Sequence, residues 1–122
     1  MSQSAATQVT KILDQMFSGD QTVFDDHPGL ADVRKNAMLI KAFSDLRQSV
    51  VQQIVEGDRV ATHSILSGTN DGPIFGRPAT GKSIDFPFLC IVQLENGRII
   101  SYSSALDWLK VLTGLGLFSF AP

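Results

Sequence analysis

A stretch rich in glycine and proline, Gly68–Lys82, is the feature of this sequence that most restricts its fold. It contains four glycines and two prolines in fifteen residues and lies between two segments rich in β-branched residues. Glycine permits positive φ angles and proline fixes φ at about −65°, so this composition predicts a specifically shaped loop. The chain is therefore expected to contain two strands joined by a long irregular connection.

The second half of the chain has the pattern of an antiparallel meander. A tight Glu-Gly-Asp turn follows the first predicted strand. Asn96-Gly97, a dipeptide that strongly favours a two-residue hairpin turn, follows the third. The predicted strands cover Ser49–Val55, Arg59–Ser67, Ser83–Leu94 and Arg98–Leu106.

The first half of the chain is predicted to be helical. Apolar residues between Val9 and Phe17 recur at three- and four-residue intervals, which is typical of one buried helix face. A second helix is predicted from Asp32 to about Leu46, and Asp107 is expected to cap a short last helix over residues 108–115. Helices followed by a meander predict an α+β fold, in a single domain over residues 1–122.

Composition and charge exclude several classes of function. The formal net charge is −2 and the ten basic residues are scattered, so no nucleic-acid-binding surface is expected. No apolar run reaches the roughly 18–20 residues of a membrane helix, and the first residues lack the pattern of a secretion signal. Cys90 is the only cysteine, and neither histidine lies at metal-ligand spacing. We therefore expect a cytoplasmic protein without a metal or cofactor.

The order of these motifs resembles the SnoaL-like polyketide cyclase family, within the superfamily named after nuclear transport factor 2. Phe43–Leu46 is similar to the family's phrase before the sheet, Glu56–Val60 to its first hairpin, and Gly68–Lys82 to its long loop. The resemblance covers residues 40–116. It implies a cone-shaped, curved antiparallel sheet of about four strands, with helices on its concave face and a pocket for a small molecule. It also implies a homodimer.

This chain departs from the family pattern in two ways, one in its chemistry and one in its helices. After the Asn-Gly turn the family typically has Ile-Val-Glu-His-Trp-Asp, and its acid–base carboxylate lies on this strand. Tyr102, Ser103 and Ser104 occupy the last three of these positions here. A serine hydroxyl cannot remove a proton from carbon without its own base, so that chemistry does not transfer to Ser104. The resemblance further implies that the family's first helical segment is missing or shortened.

Alternation along the last two strands predicts which side chains line the pocket. Successive residues of a strand point to opposite faces, so every second residue shares the inner face. The same residues would form a filled core if the cone is collapsed, because pocket lining and core differ only in whether the space is occupied. The expected substrate-binding residues are Phe86, Phe88, Cys90, Ser104 and Leu106.

Three side chains are candidates for catalysis. Tyr102, the only tyrosine, lies on the predicted inner face and could donate a hydrogen bond to a ligand carbonyl. His27 and Asp25 lie in the loop that the resemblance places near the cavity mouth, where histidine could act as a general base. Each also has a simpler interpretation: a strand tyrosine with its hydroxyl at the rim, a capping histidine and a solvated loop carboxylate. The apolar neighbours of Cys90 predict an inert buried thiol.

Three classes of function are compatible with the sequence. The first is a cofactor-independent cyclase, isomerase or hydratase that acts on a small apolar, carbonyl-bearing molecule. The second is a non-catalytic protein that binds a similar ligand. The third is a dimerisation module whose cone is filled by its own side chains. A void of several hundred Å³ with a titratable group would favour the first, since ligand sites have volumes of this order.

Overall fold

The computed structural model describes residues 4–35 and 37–119. Within these ranges helices precede a four-stranded sheet, and a short helix follows it, which confirms the predicted α+β class. One 3₁₀ turn, Pro28–Leu30, separates the second and third helices. The helices are α1 (Ala5–Phe17), α2 (Thr22–Asp26), α3 (Ala31–Lys35), α4 (Met38–Ala42) and α5 (Trp108–Gly114), and the strands are β1 (Arg47–Glu56), β2 (Arg59–Thr69), β3 (Ser83–Glu95) and β4 (Arg98–Leu106).

The sheet is an antiparallel meander in which the strands follow the order β1-β2-β3-β4. It is curved and does not close on itself, so β1 and β4 are its two edges. The register shifts between Val50 and Gln52 and again between Gln93 and Leu94. Irregularities of this kind bend a strand and increase its twist. The concave face receives the helices, as the sequence predicts.

The first predicted helix is present, and its ends have local causes. The Ser4 side chain accepts a hydrogen bond from the Thr7 backbone N–H at 3.1 Å, which caps the N-terminus of α1. At the other end Gly19 has a φ of 87°, a left-handed conformation that favours glycine. The apolar stripe of α1 is buried against the sheet: Val9, Ile12, Leu13, Met16 and Phe17.

The predicted second helix over residues 32–46 is wrong in its extent, because α3 and α4 are two separate short helices. Ala37, just before α4, has a non-helical backbone with a ψ of 36°. The Ala42 carbonyl accepts hydrogen bonds from Asp71 N–H, Gly72 N–H and the Asn70 side chain, at 3.1, 3.2 and 3.0 Å. These tertiary bonds occupy the acceptor that a longer helix would use for its own backbone, so α4 ends at this residue.

The glycine- and proline-rich loop is organised around the Asn70 side chain. Its amide donates to the carbonyls of Ala42 and Gly72, and its oxygen accepts from the Thr80 N–H and hydroxyl. The side chain is fully buried, and these four bonds satisfy its polar atoms. Gly72 passes so close to α4 that a Cβ there would overlap the Lys41 carbonyl oxygen. The loop is thus fastened to the end of α4.

The core lies between the concave face of the sheet and the helices. Phe86 and Phe43 are both fully buried, with ring centroids 5.9 Å apart. Phe17 of α1 packs edge-on against Phe88 of β3 at 5.4 Å. In the described part of the chain, none of the helices has the length and apolar character that a bilayer crossing requires.

Candidate functional site

A cavity of about 340 Å³ lies at the β4 end of the concave face, beneath α3, α4 and the start of α5. Its wall is mostly apolar, with one carboxylate, one phenol and one aliphatic hydroxyl. Its volume is in the range of small-molecule sites. The lining residues are Met16, Phe17, Asp32, Val33, Ala37, Leu39, Ile40, Phe88, Tyr102, Ser104, Leu106 and Trp108.

Four of the residues predicted from strand alternation line this cavity. Tyr102, Ser104 and Leu106 lie on alternate positions of β4, and Phe88 faces them from β3, where it is paired with Leu106. Since β4 is an edge strand, no further strand within residues 4–35 and 37–119 covers this side of the cavity. Ser104 is exposed to solvent, so the cavity opens at this edge.

Phe86 and Cys90, also predicted to contact substrate, do not line the cavity. Phe86 is fully buried against Phe43, and Cys90 is 1% exposed within the core. Burial raises the pKa of the Cys90 thiol to about 12, which keeps it protonated and unreactive. These two side chains share the inner face with the cavity residues but belong to the packed core.

Tyr102 lines the cavity, and its hydroxyl is neutral. Its pKa is raised to about 12, above the ordinary value, chiefly because burial disfavours the phenolate. Interaction with Ser104 acts in the opposite direction. At neutral pH Tyr102 is therefore a hydrogen-bond donor suited to a carbonyl oxygen or a developing oxyanion, and it does not act as a base.

Asp32 lines the cavity but is not among the site residues that the sequence predicts. It lies in the first turn of α3 and lines the cavity that contains Tyr102 and Ser104. Its position after an irregular loop suggested only a helix cap, because no periodicity connects residue 32 to residue 102. A carboxylate in this wall can accept a proton from a bound molecule.

His27 and Asp25 are not among the residues that line the cavity. The buried Nδ1 of His27 accepts a hydrogen bond from the Ile99 N–H at 3.0 Å, which joins the loop before α3 to β4. Burial lowers the pKa of His27, with a smaller opposite effect from Asp26. Asp25 forms an exposed ion pair with Arg34 at 3.2 Å. The structure thus gives these two residues structural contacts.

The described residues contain no group of three or more His, Cys, Asp or Glu side chains that could hold a metal ion. His63, whose orientation the sequence left open, pairs with Gln52 and Leu89 across the sheet. It has the opposite parity from the buried residues of β2, so it lies on the convex face, away from the cavity.

Comparison with known proteins extends the resemblance beyond residues 40–116. The family model described as SnoaL-like polyketide cyclase matches residues 2–115, which includes α1. No curated protein is similar enough in sequence to match this chain. The assignment of this chain to a family therefore rests on the match of the family model to nearly the whole chain.

Solved structures share the fold over almost their full length. A protein of Jannaschia sp. CCS1 described as a SnoaL-like polyketide cyclase is 24% identical, with a TM-score of 0.79 over 98% of this chain and 99% of that one. One from Acidithiobacillus ferrooxidans, described as a polyketide cyclase, is 21% identical, with a TM-score of 0.79 over 98% and 100% of the two chains. TsrD from Streptomyces laurentii is 22% identical, with a TM-score of 0.77 over 97% and 99%.

The matched relatives bear on the predicted loss of a helix. Coverage of 99% or more leaves no helix-length segment of those three chains unmatched, so they give no support to a missing first helix. At identities below 25% they show the fold and not the activity. Together with the family match over residues 2–115, the geometry leads to one conclusion: this chain belongs to the SnoaL-like polyketide cyclase family.

Proposed function

We propose that this protein binds a small, mostly apolar, carbonyl-bearing molecule and catalyses proton transfer next to the carbonyl, as a cofactor-independent enzyme of the cyclase or isomerase type. The observation that carries the proposal is one cavity of about 340 Å³ whose wall includes both Asp32, a carboxylate residue, and Tyr102, whose hydroxyl is neutral. A base and a hydrogen-bond donor within one apolar wall are the two groups that enolisation needs.

The roles of the two groups follow from their chemistry. The Tyr102 hydroxyl donates to the substrate carbonyl oxygen and stabilises the negative charge that develops there. Asp32 accepts the proton from the carbon next to the carbonyl. It then returns the proton, either to a different atom of the substrate in an isomerisation or to the product after ring closure. Phe88 and Leu106 hold the apolar body of the substrate. In this proposal Asp32 supplies from α3 the carboxylate that the family pattern places on the last strand, where this chain has Ser104.

The second candidate is a non-catalytic binding protein, and the exposure of Asp32 to solvent favours it. A solvated carboxylate is less basic toward carbon acids than a desolvated one, so the same wall could bind a ligand without turning it over. The third candidate, a dimerisation module with a filled cone, is disfavoured by the volume of the cavity.

Exchange of carbon-bound hydrogen for deuterium tests the enzymatic proposal without knowledge of the natural substrate. The probe is β-tetralone, a flat apolar ketone, in D₂O, with loss of the proton NMR signal next to the carbonyl as the readout. We expect the wild type to accelerate exchange above the buffer rate. Asp32→Asn should abolish the acceleration, and Tyr102→Phe should reduce it by about 10²-fold or more, a typical contribution of one positioned donor.

Controls separate the cavity carboxylate from others. Glu95→Gln, beside the exposed hairpin turn, removes one negative charge outside the cavity and should leave exchange unchanged. Loss of exchange in Asp25→Asn instead of Asp32→Asn would overturn the assignment of the base. Binding of β-tetralone without accelerated exchange would support the non-catalytic alternative, and absence of binding would contradict both.

We also propose that two copies associate through the convex face of the sheet. Ile54, Leu89 and Ile91 are 65%, 47% and 49% exposed there. The neighbouring cross-strand rows Gln52–His63–Leu89–Ala105 and Ile54–Ala61–Ile91–Ser103 contain no Asp, Glu, Lys or Arg. Two such faces can therefore meet about a two-fold axis without bringing like-charged side chains together.

The mass in solution tests this association. Analytical ultracentrifugation of the wild type should give twice the mass of one chain, and Leu89→Arg should give the mass of a single chain, because it places two like charges at the contact. A monomeric wild type at micromolar concentration would contradict the proposal.

A buried, unpaired Cys90 is compatible with a reducing compartment, and we propose a cytoplasmic location on this basis.

A further inference from the structure

A second concavity of about 550 Å³ adjoins the cavity. Ala37 contributes to the walls of both, so the two spaces meet at the start of α4. The new space differs from the cavity in that two lysines, and no carboxylate, contribute to its wall. We refer to it as the lysine groove, and its lining residues are Lys35, Ala37, Met38, Lys41, Pro73, Phe75 and Gly76.

An aromatic pair lies at the border between the two spaces. Phe75, which lines the lysine groove, packs edge-to-face on Trp108, which lines the cavity, with ring centroids 5.2 Å apart and planes at 71°. The Phe75 ring is 50% exposed despite this contact. Both rings therefore offer surface to a molecule that extends from one space into the other.

The backbone holds Phe75 in an unfavourable conformation to place its ring there. Its φ is 51° and that of Gly76 is 73°, and a bridge between Ile74 and Arg77 closes a two-residue hairpin around them. Glycine adopts positive φ without cost, whereas a bulky residue there is uncommon and strained. Such strain persists where the surroundings enforce it and is concentrated at binding sites.

The charges of the two spaces are opposite. Lys35 and Lys41 are exposed in the lysine groove, and neither makes an ion pair within the described residues. The cavity wall contains the Asp32 carboxylate. An anionic group on a bound molecule would be repelled from the cavity and attracted to the groove, so these charges set the direction in which an elongated molecule lies.

We propose that the substrate carries an anionic group at a distance from its reacting carbonyl, and that Lys35 and Lys41 bind this group while the carbonyl end occupies the cavity. Phe75 and Trp108 contact the part of the molecule between the two ends. This inference rests on the proposed function, and it narrows the substrate class to apolar carbonyl compounds with a carboxylate or a similar anion. The anion orients the carbonyl toward Tyr102.

A matched pair of ligands tests the charge recognition. The probes are benzoylpropionate, an aryl ketone with a carboxylate, and its neutral amide, benzoylpropionamide. Trp108 is the only tryptophan and lines the cavity, so its fluorescence reports binding of both. We expect the carboxylate to bind the wild type about fivefold more tightly than the amide, the size expected of two solvent-exposed charge pairs.

Variants identify the source of the preference. Lys35→Gln with Lys41→Gln should make the two probes bind equally and leave the affinity for the amide unchanged. Lys11→Gln with Lys82→Gln removes the same charge outside both spaces and should retain the fivefold preference. All four lysines are exposed, so these variants are expected to fold.

The outcomes separate this inference from the proposed function. Equal binding of both probes by the wild type, or an equal loss of preference in both double variants, would overturn the proposed binding of an anion in the lysine groove. Either result would leave the proposal for the cavity unaffected. Absence of binding of either probe would contradict the ligand-binding cavity itself and the groove with it. A preference that depends on Lys35 and Lys41 and weakens with added salt would support the inference.

Discussion

The two ends of the concave face are built from the same strands but differ in how they are filled. At one end Phe86 is completely buried against Phe43, and the side chains interlock. At the other end Phe88, two residues further along β3, borders a cavity of about 340 Å³. The alternation of the strand is the same at both positions. The segments packed above the sheet decide which end is core and which is open.

The difference has a geometric cause. At the packed end the ring of Phe43, the residue after α4, lies against Phe86, and both side chains are fully buried. Above the open end lie the five-residue helices α3 and α4 and only the last residues of α1 and the first of α5, and among the described residues β4 has no outer neighbour. Atoms that line a cavity lose the dispersion contacts they would have in a packed core. The open end therefore contributes less to stability, and its side chains are available for binding.

The largest expected effect comes from substitutions that compare the two ends directly. Phe86→Ala should lower the free energy of unfolding by about 3–5 kcal/mol, because it leaves a void in a packed region. Leu106→Ala should cost about 1 kcal/mol, since its side chain is half-buried and already borders open space. Urea denaturation monitored by circular dichroism measures both. Equal losses would show that the open end is packed like the core.

The second effect concerns the polar centre of the loop. Asn70→Asp replaces the amide that donates to the Ala42 and Gly72 carbonyls with an oxygen that repels them. We expect a loss of about 2–4 kcal/mol, the range for breaking a buried hydrogen-bond network. Asn96→Asp makes the same chemical change at an exposed hairpin turn and should cost less than about 0.5 kcal/mol. Similar losses at both sites would contradict the role of Asn70.

A third, smaller effect is a pH dependence of stability from His27, which joins the packed loop to β4. The lowered pKa means that the unfolded chain binds a proton more readily than the folded one. The contribution of His27 to the free energy of unfolding is complete at pH values above the pKa of histidine in the unfolded chain, about 6.5. It is lost as the pH falls below that value. The slope cannot exceed about 1.4 kcal/mol per pH unit, the limit for one proton.

Urea midpoints between pH 8 and pH 5 measure this dependence. His27→Asn retains an acceptor for the Ile99 N–H but does not titrate, so its midpoint should vary less with pH than that of the wild type. Asp26 and Arg98 also influence His27, and both remain in this variant, so they do not account for the difference. A wild type whose stability rises as pH falls from 7 to 5 would refute the assignment.

The smallest effect on stability is expected at the open end. Tyr102→Phe should change the free energy of unfolding by less than about 1 kcal/mol, because it removes one hydroxyl beside open space. Tyr102 is the only tyrosine, so ultraviolet absorbance during alkaline titration reports its ionisation alone. The midpoint should lie near 12 if the fold survives. A midpoint near the ordinary value of about 10 would show that the ring is fully solvated.

The extent of the second predicted helix and the position of His27 depend on the same kind of contact. A helix over residues 32–46 is compatible with local periodicity, but the Ala42 carbonyl is taken by hydrogen bonds from the distant loop. His27 and Asp25 were considered because the family places their loop near the cavity mouth. His27 instead bonds to Ile99, 72 residues away. Such long-range bonds leave no signal in a local pattern.

The sequence by itself determined the first and last helices, the order of the four strands, the α+β class, the strand alternation and the family. These depend on local properties: hydrophobic period, turn residues and motif spacing. The tertiary structure alone decided that Phe86 and Cys90 are core while Tyr102 and Ser104 line a cavity, and that Asp32 joins them. The physical reason is that core and pocket wall are chemically alike. The segments that pack above a strand, which can be distant in sequence, determine whether its apolar side chains meet another side chain or an open space.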